Sequence, residues 1–172
     1  MNSPEFRQAD ETLTVEQRLA RLGLSPEALG GQDILVMHGG DPIIGEESDQ
    51  IGAKSVMGYD PSEYDIDDDE LPFRENRFDL VLADNGMLRD GLGDQVSTDM
   101  LCELIRVCKS QIRIYDAFSG YTYKNLNELP DNISYWLQDN TDHRVDVTNV
   151  LPDGQDRPYL QITKKGNPAS SE

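Results

Sequence analysis

The stretch that decides the fold is Asp69-Glu-Leu-Pro-Phe-Arg-Glu-Asn-Arg-Phe-Asp-Leu-Val-Leu-Ala83. An acidic, proline-bearing turn runs straight into Phe-Asp-Leu-Val-Leu-Ala, residues 78–83, which is apolar at every position except Asp79. A short continuous apolar run after a turn suits a strand buried on both faces of a parallel sheet. Downstream, residues 98–109 space Met100, Leu101, Leu104, Ile105 and Cys108 along one side of a helix. Gln-Ile-Arg-Ile-Tyr-Asp, residues 111–116, then forms the next strand. A strand, a helix and a strand in this order form one parallel crossover unit.

Working outward, the same alternation recurs. Upstream, Thr14 caps an amphipathic helix carrying Leu19 and Leu22, with Gln17 at the capping-box position. Pro26 opens a short helical turn. Asp-Ile-Leu-Val-Met, residues 33–37, is a buried first strand ending in His38-Gly39-Gly40, followed by a short helix over 42–50. Residues 54–59 make the second strand. Beyond residue 116, a helix over 126–140 surrounds Trp136, and residues 144–150 and 159–163 are strands. Only Leu-Pro-Asp-Gly-Gln-Asp-Arg-Pro joins these last two, so they pair as a hairpin and the final strand runs antiparallel. The expectation is an α/β protein with a doubly wound, mostly parallel sheet and one reversed strand. One domain over 11–165 lies between polar tails at 1–10 and 166–172.

At 172 residues such a domain buries roughly 70 % of its unfolded surface, enough for a core. The charge is extreme: 33 acidic residues against 15 basic ones leave −18 at pH 7. That surface repels phosphate backbones and anionic lipid, which argues against nucleic-acid and membrane partners. It favours a basic protein partner, salt adaptation or plain solubility, and salt relieves the self-repulsion as the Debye length shrinks to about 10 Å at 0.1 M. No apolar run reaches the roughly 20 residues of a membrane span, and the first ten residues lack a signal-peptide core. A cytoplasmic location is expected. Cys102 and Cys108, about 240° apart around one helix, are expected to be two buried, unpaired thiols.

Over most of the chain, residues 19–164, the order of elements resembles the class I S-adenosylmethionine-dependent methyltransferases. The 69–83 stretch is similar to that family's acid–Leu-Pro-Phe segment leading into its fourth strand. Leu-Cys-Glu-Leu-Ile-Arg-Val-Cys-Lys, 101–109, with Ile-Arg-Ile-Tyr-Asp after it, resembles the family's next helix and fifth strand. The resemblance implies a Rossmann-like sheet whose reversed last strand lies between the fifth and sixth. It also implies S-adenosylmethionine as cofactor, held by an acid and three alternating glycines after the first strand, where a side chain would obstruct the backbone's approach. Anchored on Gly45-Glu-Glu, those four positions are Val36, His38, Gly40 and Pro42. Only Gly40 keeps its type, and His38 fills space the cofactor would take. Asp60 stands at the acid that holds the ribose hydroxyls and Asp67 at the acid that meets the adenine amine. Only six residues separate them, so the family's third strand is deleted or reduced to Tyr64-Asp65-Ile66.

Other constellations are thinner. Asp84 closes the 78–84 stretch at a position suited to a general base, but the proline–aromatic pair of amine methyltransferases is replaced by Gly86-Met87. Asp65-x-Asp67-x-Asp69 begins like a calcium loop, yet Glu70 stands where glycine is required, Asn76 where glutamate is, and Pro72 interrupts; no metal site is expected. His38-Gly39-Gly40 lacks any nucleophile elbow elsewhere in the chain. Tyr121, Tyr123, Tyr135 and Trp136 are expected in the core or around a pocket. The sequence therefore points to a methyltransferase-like protein without catalysis, acting as a binding, scaffold or regulatory subunit towards a basic partner or a second copy. The alternatives are a divergent active methyltransferase on a small molecule and an acidic mimic of nucleic acid.

Overall fold

A computed structural model describes residues 13–37, 44–45, 49, 51–60, 70–84, 95–115 and 123–166. The elements are α1 (Val15–Ala20), a 3-10 turn (Pro26–Leu29), β1 (Asp33–Met37), β2 (Ser55–Tyr59), β3 (Phe78–Asp84), α2 (Gln95–Val107), β4 (Cys108–Tyr115), α3 (Tyr123–Asn140), β5 (Val145–Val150) and β6 (Tyr159–Lys164). Thr14 starts α1 as expected: its hydroxyl accepts from the Gln17 amide, and the Gln17 side chain accepts from the Thr14 N–H.

Six strands form one sheet in the order β2-β1-β3-β4-β6-β5. β2, β1, β3 and β4 are mutually parallel. β6 is antiparallel to both neighbours, inserted between β4 and its hairpin partner β5. Alternate residues of the central strands feed two apolar layers. Leu35, Met37, Val81, Ala83, Ile112 and Ile114 face Leu101, Leu104 and Ile105 of α2 and Ile133 and Leu137 of α3. Ile34, Val36, Leu80 and Leu82 face Val15 and Leu19 of α1, together with Leu22, Leu29, Ile44 and Ile51. The sheet is thus covered on both sides, which explains why β1 is buried at all five positions.

The Leu-Pro-Phe segment is held by a clamp on α2. Arg106 donates to the carbonyls of Phe73 (2.9 Å) and Leu71 (3.1 Å), while Glu103 accepts the Leu71 amide at 2.8 Å. The two clamp residues also pair with each other at 2.6 and 2.7 Å. Their contact keeps the guanidinium charged and pushes its pKa further up. With the segment fixed, Leu71 is buried and Phe73 packs edge-to-face on Tyr59 and Phe78 at 5.7 and 5.0 Å.

Helix α2 ends at Val107, so Cys108 opens a strand instead of continuing the helix. The cause is tertiary: Asn76 and Arg77 amides take the Arg106 and Val107 carbonyls, and Lys164 donates to those of Ile105 and Cys108. These donors satisfy the carbonyls that a helix end leaves open. The two thiols consequently differ. Cys108 is buried and its pKa is pushed up to about 11, chiefly by desolvation, whereas Cys102 is only half-buried. The expectation of two buried thiols is corrected to one.

At the junction of α1 with the sheet, Arg113 donates to the Leu22 and Gly23 carbonyls and lies over the Tyr159 ring at 5.2 Å. Gly23 has φ +65°, and a Cβ there would sit 3.3 Å from the Tyr159 ring. Glycine meets both demands of this corner, the left-handed backbone and the close approach. The helix expected over 42–50 falls mostly outside the described residues.

Candidate functional site

In open α/β sheets, ligands bind beyond the carboxyl ends of the strands, where successive crossovers diverge to opposite faces. The β1–β2 connection contributes Ile44 and Ile51 to the α1 layer, whereas β3 is followed by α2 in the other layer. The divergence therefore falls between β1 and β3, at the row Tyr59–Met37–Ala83–Ile114.

One position beyond that row stand Asp60 after β2, Asp84 closing β3 and Tyr115 closing β4. The fold brings these three to one edge, with Asp60 and Asp84 about 10 Å apart across β1 by strand spacing. Asp60 is half-buried and engaged within the protein. Only the backbone of Asp84 is described, paired with Tyr115. His38, Gly40, Pro42 and Asp67 lie outside the described residues, as do Asp65 and Asp69 of the calcium-like run.

Val36, where the resemblance puts an acid, is fully buried in the α1 layer between Gly58 and Leu82. An acid here would need a partner inside an apolar cluster. Sequence reasoning singled out no residue at the end of β4, yet Tyr115 lies there beneath the Arg21 guanidinium, 4.9 Å from the ring. An aromatic as the last strand residue before Asp116 was the available signal. Of the aromatic group, Trp136 packs on the α2 and α3 core, but Tyr135 is 73 % exposed and does not. Tyr121 and the Tyr123 side chain lie outside the described residues.

The opposite, amino edge is a closed polar network. Asp33 accepts from the Ser55 hydroxyl at 2.5 Å and Lys54 at 2.9 Å, with Arg77 at 3.4 Å. Those hydrogen bonds, the Ser55 one foremost, hold its carboxyl well below the usual range. Asp79, the polar position in the apolar run, accepts the Asp33 amide (2.8 Å) and Lys109 (2.9 Å), which lower its pKa too. A cavity of about 520 Å³ between α3 and β5, lined by His143, Arg144 and Lys165 among others, also belongs to this edge, away from the crossover point.

The sheet order can be set beside known structures. A chain in the complex between the Haloferax volcanii Trm112 methyltransferase activator and a protein described as a methyltransferase matches at TM-score 0.51 and 11 % identity, covering 95 % of this chain and 93 % of that one. The fold is that of the class I S-adenosylmethionine-dependent methyltransferases. A Methanococcus maripaludis protein described as an S-adenosylmethionine-dependent methyltransferase aligns at TM-score 0.49 and 13 % identity, covering 95 % and 91 % of the two chains. A Bacillus halodurans protein described as a methyltransferase aligns at 0.48 and 15 %, covering 90 % and 99 %. No protein-family model and no curated protein matches the chain. The methyltransferase-like sheet here stops at β2 among the described residues, with β6 reversed between β4 and β5. No helix among the described residues is long and apolar enough to cross a membrane.

Proposed function

We propose that the protein is a methyltransferase-like binding subunit without methyl-transfer activity, one domain over 11–165 that works in the cytoplasm. The observation that carries this reading is Val36: the position of the cofactor acid is an apolar core residue with no exposed surface. The glycine positions occupied by His38 and Pro42 point the same way, because side chains there obstruct backbone approach to the methionine part of the cofactor. The residues therefore do not fit S-adenosylmethionine, and Asp60 and Asp67 are relics of its ribose and adenine contacts. The chain leaving the carboxyl ends of β1 to β4 (38–50, 60–70, 84–94 and 116–122) carries fifteen acids and one base, Arg89. Such an edge attracts a basic protein partner and repels nucleic acid. The structural neighbour that pairs a methyltransferase-named protein with an activator supports assembly with another protein as a workable use of this fold.

A divergent active enzyme is the second reading, favoured by Asp60 standing at the edge beside the crossover point. Labelled S-adenosylmethionine separates the two. The purified protein is expected to carry no cofactor and to transfer no methyl group to a small-molecule extract. Transfer that disappears in Asp60→Ala overturns the non-catalytic reading.

A further inference from the structure

The cavity between α3 and β5 lies in a part of the chain whose charge differs from the rest. Residues 141–166 hold four acids (Asp142, Asp146, Asp153, Asp156) and four bases (Arg144, Arg157, Lys164, Lys165), so they are neutral at pH 7 in a protein of −18. Screening limits the reach of more distant acids to about 8 Å at 0.15 M salt. An anion meets less repulsion here than the net charge implies.

Backbone bonds hold the walls. The Thr141 amide donates to the Leu137 carbonyl, the His143 amide to the Thr141 hydroxyl at 3.3 Å, and the Lys165 amide to the Arg144 carbonyl at 2.8 Å. They tie the turn from α3 into β5 to the end of β6, beside a space of about 520 Å³. That size suits a small organic molecule, since ligand pockets run from roughly 300 to 1,000 Å³. On the α3 wall, Ser134 and Gln138 stand one helical turn apart. Neither side chain has a hydrogen-bond partner among the described residues, nor has the Arg144 guanidinium. Lys54, Arg106 and Lys109, by contrast, each sit on a carboxylate. Lys165 pairs with Asp146 at 2.7 Å, but both side chains are more than half exposed, and such a pair is weak enough to exchange. Burial foremost, and then Lys164, lowers the His143 pKa, so its imidazole lines the cavity neutral at pH 7. Arg144 and Lys165 balance Asp142 and Asp146 around the cavity, a lining that fits one negative charge better than two.

We propose that this cavity binds a small polyhydroxylated monocarboxylate of the sugar-acid class, its carboxylate on the Arg144 guanidinium and its hydroxyls on Ser134 and Gln138. A guanidinium takes a carboxylate through two parallel N–H···O bonds, and Lys165 adds a further contact by leaving Asp146. The serine hydroxyl and the glutamine amide each donate and accept, which matches the same capacity in a ligand hydroxyl. The cavity lies at the amino edge, so the site stands whether or not the carboxyl edge holds a cofactor.

The test is an amide-resolved NMR titration of the full chain with gluconate at 0.15 M salt. Glucitol keeps the hydroxyls without the charge, acetate keeps the carboxylate alone, and glucose 6-phosphate substitutes a dianion. Gluconate is expected to saturate with a dissociation constant of about 1 mM or below, shifting amides within 134–146 and 164–166, and each other probe to bind at least about fivefold more weakly. Arg144→Gln should weaken gluconate about tenfold without moving the melting temperature, because that side chain has no partner among the described residues. Ser134→Ala should weaken it about threefold. Acetate or glucose 6-phosphate binding as tightly as gluconate would overturn the sugar-acid assignment, and glucitol doing so would remove the carboxylate from it. Shifts centred elsewhere, an unchanged affinity in Arg144→Gln, or no saturable shift up to about 10 mM gluconate would each overturn the site itself.

Discussion

Along the amino edge, charge is consumed inside the protein: Asp33 by Ser55 and Lys54, Asp79 by Lys109, Glu103 by Arg106, and the end of α2 by Lys164. In sequence, the segments that follow the carboxyl ends of β1 to β4 carry fifteen acids against one base, and on the proposed reading Val36, His38 and Pro42 replace the acid and two glycines of a cofactor loop. The first edge ties segments far apart in sequence; at the second, Arg21 lies over the Tyr115 ring and Asp60 is engaged within the protein. A shared fold does not by itself fix function.

The comparison can be broken first at the clamp. Arg106→Ala removes donors to Leu71 and Phe73 and strands Glu103, whose side chain is only 12 % exposed. A loss of about 3 kcal/mol in urea unfolding is expected; a loss under half of that would mean the Leu-Pro-Phe turn is held by packing alone. Lys164→Ala leaves the Asn76 side chain and two carbonyls at the end of α2 without their donor and should cost about 2 kcal/mol. Gly23→Ala tests the α1 corner through its positive φ and the Tyr159 contact, at about 1 kcal/mol.

The last test is the acid response of Asp33. Its folded pKa is depressed, so its contribution is complete above the ordinary carboxylate range near pH 4 and is lost as pH falls below it. Protonating the many surface acids relieves self-repulsion over the same range and works in the opposite direction. The difference between wild type and Asp33→Asn isolates the Asp33 share. It should shrink steadily as pH falls below about 4, and a gap that stays constant between pH 5 and pH 2 would contradict the hydrogen-bonded carboxylate.

Much of the framework was legible because the signals were local. The apolar run at 78–83, the stripe on 100–105, the Thr14 cap and the proline-glycine hairpin connector each needed only neighbouring residues. The boundary of α2 was not legible, since the donors that stop it come from Asn76, Arg77 and Lys164. The roles of Glu103 and Arg106 were not legible, because their targets lie more than thirty residues away. Asp33 was legible only as part of the buried strand 33–37, because its Ser55 partner lies twenty-two positions on. At the site, the type of each motif residue was legible, and Val36 gained its meaning only when the sheet showed it facing α1.

On the proposed reading, the methyltransferase-like framework persists without a cofactor site. Calorimetric titration of the full-length protein with S-adenosylmethionine tests it most directly. The account predicts no saturable heat up to about 1 mM ligand, a binding free energy weaker than roughly −4 kcal/mol. Micromolar binding that is abolished by Asp60→Ala would contradict it.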